Sequence, residues 1–374
     1  MVARGDIMLC KFKVKGFKGF DKEIVLDFKN HNEYQFNKNL IKNGIINKSI
    51  IYGKNGSGKT NIGFALFDIT FHLTDKNRNM EPIIASNYLN MDGNHKYAEF
   101  YYEFKFGEDT ITYKYKKENL YKILYEEVLL NDKKIIEYEF SKPESKIIDI
   151  EEAQTLNWKY NDDDLSVVKY ICNNTILTKN KALTKMMDFV NSMLWFRSVD
   201  ITGFIGLRNN SNALDKIIIE NGKTKEFGNF LEENGLKYDL IEIQVPNGKI
   251  LGVKKGNRIT TFESIISSGT KALWLYYCWE IYFEKVKFLF IDEFDATYHF
   301  ELAAKIVNRL NKHNSFQSVL TSHNTYLMSN KLTRPDCTFI LTSEYIKSLS
   351  MCTDKELREA HNIEKLYREG AFTD

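Results

Sequence analysis

A glycine-rich run of eight residues, Gly-Lys-Asn-Gly-Ser-Gly-Lys-Thr at positions 53–60, constrains the fold of this chain more than any other feature. The run matches the P-loop pattern G-x-x-x-x-G-K-[ST] in full. Residues 47–52 before it are predicted to form a short apolar strand, and residues 61–73 after it carry apolar side chains along one face of a predicted helix. The order strand, loop and helix predicts an α/β fold organised around a phosphate-binding loop.

The chemistry expected of this loop is the binding of nucleotide phosphates. Glycines let the backbone wrap around phosphate groups with its N–H groups pointing inward. Lys59 supplies positive charge to the β- and γ-phosphates and is a candidate catalytic residue, and the Thr60 hydroxyl is a candidate ligand for Mg²⁺. A tight turn with an exposed lysine is the structural alternative. We predict ATP and Mg²⁺ as cofactors, with nucleotide contacts from Gly53, Asn55, Gly56, Ser57, Gly58, Lys59, Thr60 and Asn61.

A second, acidic element is expected at the end of a buried strand. Residues 288–291 are Phe-Leu-Phe-Ile, and Asp292 and Glu293 follow them. A carboxylate at this position of a P-loop protein binds Mg²⁺ directly or through water, which is the role predicted for Asp292. Glu293 is predicted to polarise the attacking water. A helix N-cap is the structural alternative for two adjacent carboxylates.

Three further elements narrow the class. Ser268 and Gly269 precede a predicted helix, and N–H groups at a helix N-terminus can face a phosphate. Asp295 lies two residues after Glu293, where it can reach a subunit contact. His323 follows the next predicted buried strand and can reach a γ-phosphate, which makes it a third catalytic candidate. Taken alone, the Ser-Gly pair fits an ordinary N-cap and the histidine fits a structural role, but together the elements are hard to explain otherwise.

The rest of the chain is predicted from its periodicity. Residues 97–140 alternate polar and apolar side chains and predict an antiparallel meander of strands. No long heptad run occurs, which excludes an extended coiled coil. Helices are predicted at 182–195, 213–219, 224–233, 268–283 and 299–311, and buried strands at 287–291, 316–321 and 338–342.

Composition and charge exclude several classes of protein. The 374 residues carry a net charge of +2 and include five cysteines. The odd count and the lack of a Cys-x-x-Cys pair argue against a disulfide framework or a zinc knuckle and for a reducing cytosol. No stretch approaches the roughly 18 consecutive apolar residues of a membrane span. A cytoplasmic location without a membrane partner is expected, and the nearly neutral charge neither demands nor excludes nucleic acid.

The order P-loop, Ser-Gly pair, Asp-Glu strand, acidic loop and strand-histidine resembles the ATP-binding-cassette (ABC) class of P-loop ATPases. Within it, the chain resembles the soluble SMC-like and RecF-like heads, whose first strand is similar to Phe17-Lys18-Gly19-Phe20 here. That likeness implies a position near the nucleotide for Lys18. It also implies an α/β ABC-type head with an antiparallel meander lobe, a helical insertion and no long coiled coil. The implied regions are the first part of the head with the meander, a mainly helical insertion or lid, and the second part of the head, at 1–140, 141–240 and 241–374.

A narrower likeness is to stand-alone prokaryotic AAA-type ATPases of abortive-infection and anti-phage loci, which include the ATPase component of the PARIS defence system. It rests on the motifs at 263–271, 291–296 and 321–325, on the tyrosine-rich meander and on residues 365–370. This resemblance implies an ATP-hydrolysing sensor or scaffold that controls a separate effector protein, a toxin or a nuclease. A phage-derived product is the trigger that the resemblance suggests.

In the ABC class, two heads sandwich ATP between the P-loop of one chain and the Ser-Gly helix of the other. The resemblance therefore implies a homodimer or higher homo-oligomer, with Ser268 and Gly269 contacting the nucleotide in trans. It also implies that Asp295 is a nucleotide contact near the subunit contact. Two departures from the class stand out. The Ser-Gly motif is Ser-Ser-Gly-Thr here rather than Leu-Ser-Gly-Gly. The glutamine expected in this class between the P-loop helix and the Ser-Gly motif is not evident, because Gln154 and Gln244 are the only glutamines in that interval and neither lies at a fitting strand end.

Two other functions stay open on sequence grounds. A RecF-like or SMC-like DNA-repair or DNA-bridging ATPase would need a basic groove, whereas the basic clusters of this chain fit ordinary solvated faces better. An ATP-gated nuclease of the overcoming-lysogenisation-defect kind would carry a Toprim domain, and the roughly fifty residues after His323 are few for such a domain. The clusters considered for DNA are Lys114, Lys116 and Lys117, and Lys254, Lys255 and Arg258.

Overall fold

The fold is taken from a computed structural model, which describes residues 7–74, 76, 80–158, 163–198, 200, 203–207 and 213–372. The described residues form nine α-helices, none of which combines the length and the apolar character that a membrane crossing needs. In chain order the helices are α1 (Lys59–Leu73), α2 (Glu81–Ala85), α3 (Val167–Asn174), α4 (Lys181–Asn191), α5 (Leu214–Glu220), α6 (Thr224–Glu233), α7 (Ser268–Glu280), α8 (Phe300–Asn311) and α9 (Ile363–Arg368).

Within the same described ranges, nineteen β-strands lie in four sheets. In chain order the strands are β1 (Ile7–Lys15), β2 (Ile24–Asp27), β3 (Ile41–Lys42), β4 (Ile45–Ile46), β5 (Lys48–Tyr52), β6 (Ala98–Phe106), β7 (Asp109–Lys117), β8 (Ile123–Leu130), β9 (Lys133–Glu139), β10 (Ile147–Ile148), β11 (Met193–Arg197), β12 (Phe204–Gly206), β13 (Leu240–Val245), β14 (Gly248–Lys255), β15 (Arg258–Thr261), β16 (Phe288–Asp292), β17 (Gln317–Ser322), β18 (Thr338–Leu341) and β19 (Ile346–Ser348).

The central sheet has seven strands in the order β12-β11-β16-β17-β5-β18-β19. Its five inner strands are parallel, and β12 and β19 close the edges in antiparallel orientation. All residues of β5, β16 and β17 are buried, as expected for a parallel sheet that is covered on both faces. The register sets Arg197 of β11 level with Asp292 of β16. The carboxyl ends of these strands therefore meet at one edge, where ligands of α/β proteins usually bind.

A second sheet, in the order β10-β9-β8-β7-β6-β1-β2, is antiparallel throughout. Along β6, buried residues alternate with more exposed ones, which is the period of a sheet with one covered face. The antiparallel meander predicted for residues 97–140 is confirmed. A smaller sheet holds β13, β14 and β15, and β3 pairs with β4.

Helix α1 lies between the two large sheets. Most of its 15 residues are buried, as expected of a helix that is covered on all sides. Phe67 packs against Phe288 and Phe290 of β16, with ring centroids 6.0 and 6.4 Å apart. On the other side, the Tyr102 hydroxyl of β6 donates to the Ala65 carbonyl at 2.9 Å. The P-loop helix is thus clamped by both sheets.

The other face of the central sheet packs against α5, α6, α7 and α8. Leu289 and Ile291 of β16 belong to this second core, whereas Phe288 belongs to the core around α1, because successive side chains of a strand point to opposite faces. Trp279 of α7 packs on Phe196 of β11 with ring centroids 5.6 Å apart. These layers confirm the predicted α/β class with an antiparallel lobe.

One predicted helix is wrong at its C-terminal end. The sequence predicts a helix over 182–195, but α4 ends at Asn191 and residues Met193–Arg197 form strand β11. The periodicity of the apolar run Met-Leu-Trp-Phe does not distinguish a buried helix segment from a buried strand. In the structure the run pairs with β16 and is a strand. The range 141–240 thus also gives β10, β11 and β12 to the sheets, and the region boundaries stay predictions. The longest helix of the described part, α1, has 15 residues, so the expectation of no long coiled coil is confirmed.

A buried ion pair ties α1 to the antiparallel sheet. The side chains of Asp68 and Lys117 are fully buried, and Lys117 Nζ lies 3.1 Å from Asp68 Oδ2. The hydroxyls of Tyr88 and Tyr115 also donate to Asp68, at 2.8 and 3.0 Å. Burial lowers the pKa of Lys117, and the Asp68 charge opposes that shift. The pair therefore fixes the middle of the P-loop helix to the meander.

The Asp68→Asn variant is expected to lower the free energy of unfolding by about 3 kcal/mol, because the Lys117 amine is left buried without a counter-charge. The double variant Asp68→Asn, Lys117→Met is expected to recover much of this loss. The amide oxygen of the asparagine accepts from one tyrosine hydroxyl and its NH2 group can donate to the oxygen of the other, and methionine fills the volume of the lysine stem. Urea unfolding measures both changes.

The control for this experiment is an exposed ion pair on the same sheet. Glu99→Gln removes the partner of Lys116 and is expected to cost less than about 1 kcal/mol. A single Asp68→Asn variant that loses no more stability than Glu99→Gln would contradict the importance of the buried pair.

Candidate functional site

The P-loop connects β5 to α1 at the carboxyl edge of the central sheet. Gly56 and Gly58 have φ angles of 80° and 97°, a region that residues with side chains rarely adopt. A Cβ atom on Gly58 would lie 2.9 Å from the ring of Phe20, and one on Gly53 would lie 2.3 Å from Ser57 Oγ. No side chain caps the N-terminus of α1, so its first N–H groups are available to an anion.

Lys59 is the first residue of α1, and its side chain is largely buried. The amine donates to the carbonyl oxygens of Gly53 at 2.8 Å and Lys54 at 3.1 Å. Burial lowers the pKa of Lys59, and the carboxylates of Glu293 and Asp292 act in the opposite direction. These two bonds hold the Lys59 amine against the P-loop, where it is predicted to contact the phosphates.

Asp292 ends strand β16, and its side chain is completely buried. Oδ2 accepts a hydrogen bond from the Thr60 hydroxyl at 2.8 Å, and Oδ1 accepts one from the Thr321 hydroxyl at 2.8 Å. Hydroxyl and carboxylate oxygens suit Mg²⁺, which usually binds one or two protein groups together with phosphate oxygens and water. Within the described ranges, no cluster of three or more acidic, histidine or cysteine side chains could hold a metal. Thr60 and Asp292 thus fit a metal that is shared with a nucleotide.

Sequence reasoning misses one member of this site, Arg197. Its Nη2 lies 3.2 Å from Thr60 Oγ1 and 3.2 Å from Asp292 Oδ2, and its Nε lies 3.3 Å from the same carboxylate oxygen. The misassigned strand explains the omission, since a helix over 182–195 gives Arg197 no defined place. The signal that the sequence offers is a polar residue at the end of an apolar run, as Asp292 is at the end of β16.

Glu293 follows Asp292 in a strained turn. Its φ of 49° is a left-handed conformation that is uncommon for residues other than glycine. The Glu293 N–H donates to Thr321 Oγ1 at 2.8 Å, and its carbonyl accepts from Ser198 Oγ at 2.5 Å. These bonds hold the turn, so that the Glu293 side chain reaches the cleft while that of Asp292 stays buried.

A cleft of about 500 Å³ opens at this edge of the sheet. It brings much of the P-loop together with Glu293 and with His323, which is exposed just after β17. The arrangement fits a nucleotide site, and the roles of the individual residues stay predictions. The lining residues are Asn55, Gly56, Gly58, Lys59, Thr60, Asn61, Glu293, Ala296 and His323.

Three of the predicted nucleotide contacts, Gly53, Ser57 and Asp295, lie outside this lining. Asp295 is buried within the chain, and its Oδ2 accepts from Ser322 Oγ at 2.7 Å. Burial raises the pKa of the Asp295 carboxyl, and the hydrogen bond from Ser322 opposes the rise. Its predicted place at a subunit contact stays a prediction.

Lys18 also lies outside the lining of the cleft. Its amine donates to the Ser86 carbonyl at 2.7 Å, near the end of α2. Burial lowers the pKa of Lys18 to about 8. The turn that carries it nevertheless approaches α1, since a Cβ atom on Gly19 would lie 3.2 Å from Asn61 Nδ2. Its role near the nucleotide stays a prediction.

Ser268 and Gly269 begin α7 and do not line the cleft of their own chain. The N-cap is Ser267, whose Oγ accepts from the Thr270 N–H at 3.2 Å. Ser268 is exposed. The Ser-Gly pair is therefore placed where a second chain could approach it.

Three solved structures illustrate what this chain is similar to. The SMC head domain from Thermotoga maritima has 17% identity and a TM-score of 0.43, with 91% of this chain and 98% of that chain covered. The Smc head domain with a coiled coil and joint from Pyrococcus yayanosii has 12% identity and a TM-score of 0.47, with 98% and 99% covered. The recombination mediator protein RecF has 15% identity and a TM-score of 0.42, with 93% and 100% covered.

The comparison with curated proteins gives no match. A family model matches residues 48–329, which is more than half of the chain and includes the P-loop, the Ser-Gly pair, Asp292 and His323. The chain belongs to this family, which is described as "AAA domain, putative AbiEii toxin, Type IV TA system".

Proposed function

We propose that this chain binds ATP with Mg²⁺ in the cleft at the P-loop and hydrolyses it, as an ABC-type ATPase. The observation that carries the proposal is the convergence of the P-loop, the Thr60–Asp292 pair and Glu293 at one cleft of about 500 Å³. Membership of a family of AAA domains supports nucleotide binding. The uncapped N-terminus of α1 adds a further site for phosphate.

Each side chain has a separate task in this reaction. The N–H groups of the P-loop bind the phosphates, and Lys59 neutralises their charge. Mg²⁺, held through Thr60 and Asp292, would supply further neutralisation of the phosphate oxygens. Glu293 takes a proton from the attacking water, and His323 contacts the γ-phosphate. The buried carboxylate of Asp292 is thus assigned to the metal, and the partly exposed carboxylate of Glu293 is assigned to the attacking water.

The chain acts as a homodimer or a higher homo-oligomer in which ATP joins two copies. The Ser-Gly pair at the start of α7 supports this arrangement, because Ser268 is exposed and lies outside its own cleft. Ser268 and Gly269 of one copy complete the cleft of the other. ATP then favours the closed assembly because only the assembly offers both halves of the site, and hydrolysis releases it.

Anti-phage defence is the cellular role that fits best. The family description refers to a Type IV TA system, and several motifs are similar to the ATPase component of the PARIS system. The chain works in the cytoplasm as a nucleotide-dependent sensor or scaffold. It answers a phage-derived trigger and controls a separate effector protein, a toxin or a nuclease.

A DNA-repair or DNA-bridging ATPase is the alternative. On β7, Lys114 pairs with Glu127 and Lys117 is buried against Asp68, so this strand offers little free positive charge to a phosphate backbone. This observation argues against DNA binding by β7. The other basic cluster is exposed at the turn between β14 and β15 and consists of Lys254, Lys255 and Arg258.

The Glu293→Gln variant is expected to lower the rate of ATP hydrolysis by about 100-fold or more, because the water loses its proton acceptor. Binding of ATP is expected to persist, so the variant should sediment as a dimer with ATP in analytical ultracentrifugation. Lys59→Ala, which removes charge from the phosphate site, is the control and should stay monomeric. If the Glu293→Gln protein sediments only as a monomer in the presence of ATP, the proposed ATP-bridged dimer is contradicted.

Mixing two inactive variants tests whether the site is shared between chains. Ser268→Glu places a carboxylate at the N-terminus of α7, which suits the helix dipole of its own chain but repels the triphosphate of a partner. Neither this variant nor Lys59→Ala should hydrolyse ATP alone. A mixture is expected to regain ATPase activity, because one site of the mixed dimer then combines an intact P-loop with an intact Ser-Gly pair.

The control for this mixture is Lys59→Ala combined with the double variant Lys59→Ala, Ser268→Glu, which offers no intact site. If ATPase activity returned equally in both mixtures, it would not come from a site shared between two chains. If the first mixture stays as inactive as the control, the Ser-Gly pair does not act in trans.

The two cellular roles predict different partners. Tagged protein isolated from infected cells is expected to retain an effector protein, and the Lys59→Ala variant is expected to lose the nucleotide dependence of that contact. In a gel-shift titration the purified protein is expected not to bind duplex DNA at about 0.15 M salt. Tight DNA binding that falls steeply with salt, and that is lost when Lys254, Lys255 and Arg258 are replaced by alanine, would favour the alternative.

A further inference from the structure

A cation of the chain itself stands where the nucleotide-bound metal is proposed to bind. Arg197 Nη2 lies 3.2 Å from both Thr60 Oγ1 and Asp292 Oδ2, and these are the two oxygens proposed as protein ligands of Mg²⁺. The Thr60 hydroxyl donates its proton to Asp292, so its oxygen accepts from Arg197. The guanidinium thus satisfies both oxygens at once.

The burial of Asp292 explains why a cation is needed there. The carboxylate is fully buried, and a buried charge without a partner is costly. Lys59 does not fill this need, because its amine donates to the carbonyls of Gly53 and Lys54. Arg197, in contrast, contacts the carboxylate directly, with Nη2 3.2 Å from Asp292 Oδ2.

The fold fixes the backbone of Arg197, whereas its side chain is 33% exposed. Arg197 ends β11 in parallel register with Asp292, and the Ser198 hydroxyl bonds to the Glu293 carbonyl. Departure of the guanidinium from the Asp292 carboxylate would therefore require rotation of the side chain rather than movement of the strand. A second carboxylate is within reach, since Glu293 Oε2 lies 4.0 Å from Arg197 Nε.

We propose that Arg197 occupies the metal position in the nucleotide-free chain and is displaced when Mg²⁺ binds together with a nucleotide. The nucleotide in this statement rests on the proposed function, whereas the metal position rests on Thr60 and Asp292 alone. An arginine has no acceptor atom and cannot become a metal ligand, and two cations at one pair of oxygens repel each other. Mg²⁺ alone is therefore bound poorly. The phosphates of a nucleotide supply the negative charge that makes the exchange favourable.

The position of Arg197 also bears on the glutamine that the ABC class carries at a strand end between the P-loop helix and the Ser-Gly pair. Gln154 follows a short 3-10 turn, and Gln244 lies on β13. Neither is beside Asp292, whereas Arg197 closes the strand next to it. A glutamine offers an oxygen to a metal and an arginine does not. Arg197 is therefore a positioning residue that keeps the metal site closed until nucleotide arrives.

The test measures metal binding without nucleotide. Thermal unfolding is followed in a titration with MgCl₂ alone, and Mn²⁺ binding is followed by loss of the free-ion electron paramagnetic resonance signal. Wild-type protein is expected to show no metal-dependent change. Arg197→Ala and Arg197→Gln are both expected to bind Mn²⁺ and to gain about 2 °C or more in Tm with millimolar Mg²⁺. The glutamine variant retains a polar side chain and guards against loss of folding in the alanine variant.

Two controls separate the metal site from general effects of charge removal. Arg309→Ala removes an arginine of α8 that pairs with Glu280 of α7 through bonds of 2.7 and 2.9 Å, and it should gain no metal response. The double variant Arg197→Ala, Asp292→Asn should lose the response. Metal binding by wild-type protein equal to that of the Arg197 variants, or no binding by either variant, would overturn the proposal.

The outcome is independent of the proposed hydrolysis. If the Arg197 variants bind metal while wild-type protein fails to hydrolyse ATP, the proposed ATPase function falls and the role of Arg197 stands. If wild-type protein hydrolyses ATP but no Arg197 variant responds to metal, the role of Arg197 falls and the ATPase function stands.

Discussion

The complete burial of the Asp292 carboxylate at the end of β16 is the constraint on which the site depends. A charge in that position must be met by hydrogen-bond donors or a cation, and three neighbouring elements supply them. Thr60 comes from the P-loop helix, Thr321 from β17 and Arg197 from β11. The same carboxylate therefore ties three elements together, and under the proposed function it is also a ligand of Mg²⁺. The contacts of Asp292 therefore link the position of α1, β11 and β17 to the chemistry of the site.

The parts of this structure that local patterns specify could be predicted from sequence. The P-loop is a complete motif, and β16 and β17 are apolar runs of the length of buried strands. Parallel strands end at the same edge of a sheet. The sequence therefore predicts that Asp292 and His323, each at the end of an apolar run, lie at the same edge. Strict alternation likewise identifies the meander and its covered face.

Contacts that depend on tertiary pairing could not be predicted in this way. The run before Arg197 has no period that separates helix from strand, so pairing with β16 is needed to place it. The Lys18 amine donates to the Ser86 carbonyl. No side-chain pattern in the sequence identifies a backbone carbonyl as the partner of a lysine, so this contact could not be predicted. The burial of Asp295 against Ser322 is equally invisible, because an acidic residue after a strand usually faces solvent.

The ion pair between Asp68 and Lys117 has a mechanical consequence. Asp68 lies nine residues after Lys59, or about 14 Å along the helix axis at 1.5 Å per residue. Because the pair is buried and its separation is costly, a displacement of α1 relative to β7 would have to break this contact. The pair therefore links the helix that begins at the phosphate loop to the antiparallel sheet, at a point well away from the loop itself.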